Sequence, residues 1–64
     1  MASKLTSVSS QTMKLLLDRQ SGRRVDDARI DANMRVLADG LAAGKMDAGL
    51  KRQYWSMKAM LGNG

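Results

Sequence analysis

VDDARIDANMRVLADGLAA, residues 25–43, decides the fold class of this chain. Ile30, Met34, Leu37 and Leu41 recur at heptad spacing, which a helix gathers onto one face and a strand would divide between two. Asp26 and Asp27 fall in the first turn, where carboxylates oppose the positive end of the helix dipole. The opposite face carries Val25, Ala28, Ala32, Val36 and Ala43, small enough to let another helix approach closely. The segment, helix 2 at about 25–43, therefore has two apolar faces. The large residues are expected to meet the other helices of the chain. The small ones are left for a second copy, with Val25, Ala28, Ala32 and Val36 as the self-association residues.

Outward from this helix the punctuation is by glycine, because proline is absent. Ser21-Gly22 ends a first helix at about 5–20, Gly44 ends helix 2, and Gly62-Asn63-Gly64 ends a third helix at about 47–61. Helix 1 starts somewhere between Ser3 and Ser9, with Leu5, Val8, Met13, Leu16 and Leu17 as its apolar arc and a poor helix-forming run from Ser7 to Thr12. Helix 3 is capped by Asp47, and its stripe is Met46, Leu50, Tyr54, Met57 and Leu61. The connection between helices 2 and 3 is short, which predicts an antiparallel hairpin. The expected fold is all-α: three short helices in one small domain over residues 1–64.

A chain of 64 residues buries only about 60% of the surface its unfolded form exposes, so it ordinarily needs a staple. Cysteine and histidine are both absent, which removes disulfides and the usual zinc sites. Self-association is the staple that remains, and a homo-oligomer is expected.

The hairpin LADGLAAGKMDAGLKRQYWSMKAML resembles in outline the SHOCT type of short helical hairpin, through Leu37, Leu41, Gly44, Met46 and Asp47. It lacks the acidic pair that precedes the aromatic in that family, and Tyr54 stands about three residues late. The outline covers under half the chain and implies no more than a helical hairpin.

Eleven Lys and Arg stand against six aspartates, for a formal net charge of +5, which favours anionic partners. The densest apolar run, MKLLL at residues 13–17, is too short for a secretory or membrane segment. A soluble, cytoplasmic protein without a membrane partner is expected, virion-associated if a phage encodes it.

The candidate chemistry is thin. GLAAGK (residues 40–45) resembles a clipped phosphate loop but has one residue too few between its glycines, Met46 where a hydroxyl is needed and no preceding strand, so it reads as a helix end. Arg23, Asp27, Asp31, Arg35 and Asp39 lie four apart and read as a solvated salt ladder, not a metal site. Ser10 and Lys14 are one turn apart, but nothing would activate the lysine. With no histidine, cysteine or glutamate, no catalysis, metal, cofactor or small-molecule substrate is expected.

What remains is Trp55. On a helix the sole tryptophan points away from the apolar stripe, among Lys51, Arg52 and Lys58, with no acidic residue after Asp47. An indole among cations is a common anchor for a partner. The opposing possibility is that Tyr54 and Trp55, only 100° apart on a helix, are both partly buried. The expected function is a small, basic, non-enzymatic interaction protein that docks Trp55, Lys51, Arg52 and Lys58 onto a larger acidic protein. Its size and composition are those of phage or mobile-element accessory proteins, either host-factor inhibitors or minor assembly components. The alternative is a nucleic-acid-binding module using the same face, although Gln53 would lie on the apolar stripe, out of reach of bases.

Overall fold

The computed structural model describes residues 4–62. It is built of three helices, α1 (Lys4–Gln20), α2 (Asp27–Ala42) and α3 (Ala48–Gly62), with no strand among the described residues. Each helix falls within two residues of its expected bounds. Ser3, a candidate cap, and Asn63 and Gly64, expected to end the third helix, lie outside the described residues.

Glycine ends α1 and α2 by the same geometry. Gly22 (φ 88°) and Gly44 (φ 70°) take the left-handed conformation that side-chain-bearing residues avoid. Gly22 N–H donates to Arg19 O and Arg23 N–H to Asp18 O; Gly44 N–H donates to Leu41 O and Lys45 N–H to Gly40 O. This is the paired bonding of a Schellman end, which satisfies carbonyls that the helix leaves open. At the other ends, Asp26 Oδ1 accepts from Ala28 and Arg29 N–H at 3.0 and 3.3 Å, and Asp47 Oδ1 accepts from Leu50 N–H at 2.8 Å. Asp26 is thus the cap of α2, not a residue of its first turn, and Val25 precedes the helix.

The core is made of Leu16, Ile30, Leu37, Met46, Leu50, Tyr54 and Met57, all buried. The heptad face of α2 and the stripe of α3 lie where the spacing put them, with Met34, Leu41 and Leu61 partly buried against that cluster. Met13 and Met60 are also partly buried, so the methionines of the described residues fill the interior. α1 is the hub: it packs on both other helices more extensively than they pack on each other.

Two further expectations fail. The first concerns α1, whose buried seam is Ser9, Thr12 and Leu16, while Leu17 is 51% exposed. A helix wedged between two others needs small side chains along its central strip so that the backbones can approach. The larger Val8, Met13 and Leu15 pack partly buried against the core. Leu17, one residue and 100° beyond Leu16, turns out to solvent. The buried hydroxyls are satisfied, Thr12 Oγ1 donating to Val8 O at 2.7 Å and Ser9 Oγ to Gln53 Oε1 at 2.6 Å.

The second correction is the salt ladder. Arg23 lies in the loop before α2, and its guanidinium is 3.8 Å from Asp18; Asp27 is met instead by Arg19 at 3.7 Å. Asp31, Arg35 and Asp39 make no ion pair within 4 Å among the described residues. The two pairs that form are largely exposed and tie the end of α1 to the following loop and to the start of α2, each contributing about 0 to 1 kcal/mol.

Candidate functional site

The outward side of α3 is defined by the burial of its inward side. Leu50, Tyr54 and Met57 recur at i, i+4 and i+7 and are buried, which turns Lys51, Arg52, Trp55 and Lys58 to solvent. Trp55 is 55% exposed. Its ring meets that of Tyr54 edge to face, with centroids 5.2 Å apart and planes at 69°. Lys58 Nζ stands 5.7 Å from the centroid of Trp55 and 5.8 Å from that of Tyr54. Tyr54, only 5% exposed, therefore links the core to the surface: its buried ring braces the exposed indole, and Lys58 lies over both.

The electrostatics are one-sided. α3 carries Lys51, Arg52 and Lys58 and no acidic residue, so it holds three of the five net positive charges of the chain. The nearest carboxylate in sequence, Asp47, is engaged as the helix cap. Lys51 and Arg52 lie just beyond the first turn, near the positive end of the helix dipole, where cations gain nothing from that dipole. Helix stability does not account for their placement.

Among the expected site residues, Trp55, Lys51, Arg52 and Lys58 thus share one side of one helix. The expected self-association residues divide. Ala28 and Ala32 are exposed and Val36 is 37% exposed on α2, whereas Val25 packs against the core before the helix begins. Gln53, expected on the apolar stripe, is instead exposed at its flank, although its Oε1 accepts from buried Ser9 Oγ at 2.6 Å. No group of three or more carboxylate, histidine or cysteine side chains is placed to hold a metal ion among the described residues. No helix there is long and apolar enough to cross a membrane. GLAAGK is the end of α2, its Gly40 buried so tightly that an added Cβ would stand 2.7 Å from Leu5 Cδ1.

Sequence reasoning missed the Lys58–Tyr54–Trp55 assembly, although its signal was present: the aromatic pair with a lysine at i+4 from one ring and i+3 from the other. It also missed a shallow hollow between α1 and α2 lined by Leu5, Val36, Asp39 and Ala43 with Lys4 and Lys45 at hand, which no local pattern announces.

Compared with family models, curated proteins and solved structures, the chain matches none.

Proposed function

We propose that this is a small, non-enzymatic interaction protein that docks the Trp55, Lys51, Arg52 and Lys58 face of α3 onto a larger acidic protein. By size and composition it is of the type of phage or mobile-element accessory proteins, host-factor inhibitors or minor assembly components. The supporting observation is Trp55 itself. The one tryptophan is more than half exposed, braced from beneath by buried Tyr54, and surrounded by cations on a helix without acids. A large apolar ring held out in water costs solvation that burial in an interface recovers, and such residues dominate interface energies.

The test is Trp55→Ala. Circular dichroism and melting temperature should stay close to the parent, while an acidic protein captured by the tagged parent from its source cells should be lost, a weakening of about 2 kcal/mol or more. If the variant unfolds, or captures the same protein equally well, the face is not a docking surface. Nucleic acid is the second reading, favoured by the same acid-free basic helix; steeply salt-dependent binding to generic DNA that exceeds protein binding would establish it in place of the first.

The arrangement proposed with this function is an antiparallel α2–α3 hairpin in a homo-oligomer that meets through the small residues of α2, in a cytoplasmic protein. Light scattering behind size exclusion should give a mass above the 7.0 kDa of one chain, and Ala32→Glu should lower it. A thermostable species of monomer mass would refute self-association.

A further inference from the structure

Resting on the reading of α3 as a docking face, we infer that its occupant is an acidic helix of another protein. That helix carries carboxylates two turns apart, with an apolar residue between them that lies on Trp55. Lys51, Trp55 and Lys58 stand at i, i+4 and i+7 and are all exposed. A rise of about 1.5 Å per residue separates the two lysine positions by about 10 Å, with the indole between them. A partner helix has the same rise, so carboxylates at its own i and i+7 meet both ammonium groups while residue i+3 or i+4 covers the ring.

The face is already ordered for this. Lys58 Nζ lies over the Tyr54 and Trp55 rings at 5.8 and 5.7 Å, and Trp55 is set edge to face against a buried tyrosine. A lysine placed by ring contacts loses less freedom when a carboxylate arrives than one free in water.

Charge and geometry disfavour the other occupants. A stacked nucleobase covers a whole ring face, which the Lys58 ammonium 5.7 Å from the indole centroid obstructs, whereas a single aliphatic side chain needs only part of it. The second copy proposed above meets this chain through α2, which leaves α3 to a different partner. The hollow between α1 and α2 of such a copy offers Asp39 against Lys4 and Lys45, a cationic balance that repels α3.

Calorimetric titration of the full chain tests the pattern. The probes are a lactam-stapled helical peptide with Glu at i and i+7 and Leu at i+3 and i+4, an isomer with the second Glu moved to i+5, and a single-stranded oligonucleotide of equal charge. The i, i+7 peptide should bind at least about tenfold more tightly than the isomer, and Lys58→Gln and Trp55→Ala should each weaken it by at least about fivefold. Equal binding of the two peptides, no binding of either, or tighter binding of the oligonucleotide overturns the inference. Should the peptides fail while capture of the acidic protein still depends on Trp55, the docking face stands and only the helical pattern falls. Should that capture be indifferent to Trp55, the face itself falls.

Discussion

Leu50 and Trp55 sit on one helix and face opposite ways, and their substitutions should separate folding from binding. Leu50 is 8% exposed, so Leu50→Ala should destabilise the fold by about 2 to 5 kcal/mol in chemical denaturation. Trp55→Ala, measured alongside it, should leave the denaturation midpoint close to the parent. A second residue runs the other way. Asn33 Nδ2 is buried with no hydrogen-bond partner, a desolvated donor that costs free energy in the folded state, and asparagine is a poor helix former. Asn33→Leu should therefore stabilise by about 1 kcal/mol, raising the melting temperature of a chain this small by about 4 to 8 °C. An unchanged or lower melting temperature would show that the amide is satisfied. Asn33 was not legible in the sequence as such a position, because whether an amide on a helix flank finds a partner depends on the neighbouring helix.

At the scale of the element, what was legible was local. Asp47 as cap and Gly22 and Gly44 as ends follow from backbone chemistry that a residue carries wherever it sits, and helix bounds were readable for that reason. Gly44→Ala should cost about 1 to 2 kcal/mol by thermal melting, since alanine must hold the left-handed conformation, although open space surrounds the site. The inward faces of α2 and α3 were equally readable, for their periodicity has one interpretation. On α1 it had several. Its leucines at 15, 16 and 17 cover most of a turn, and only the positions of the neighbouring helices select Ser9, Thr12 and Leu16 as the buried line. The first rung of the salt ladder failed for a related reason: it assumed a helix running through Arg23, which the Gly22 end and the Asp26 cap exclude.

For the whole molecule the unexpected result is the order of importance of the helices. Sequence made α2 and α3 the strong pair, whereas α1 makes the wider contacts with both. That Trp55, Lys51, Arg52 and Lys58 share one side was legible because a single helix supplies them; the Ser9 contact was not, because it comes from elsewhere in the chain. Ser9 Oγ grips Gln53 Oε1 across 44 positions of sequence. Each helical residue advances about 100° around the axis, so a fixed Gln53 fixes the compass bearing of Trp55 two residues on. With little of α2 against it, α3 takes its rotational setting from α1. Ser9→Ala should cost about 1 kcal/mol and lower the steady-state fluorescence anisotropy of Trp55 at unchanged helix content; unchanged anisotropy would mean that ring packing alone holds the bearing. The heading of the Trp55 face thus belongs to two helices. Grafted alone onto a foreign scaffold, α3 would carry the lettering of the surface without its orientation.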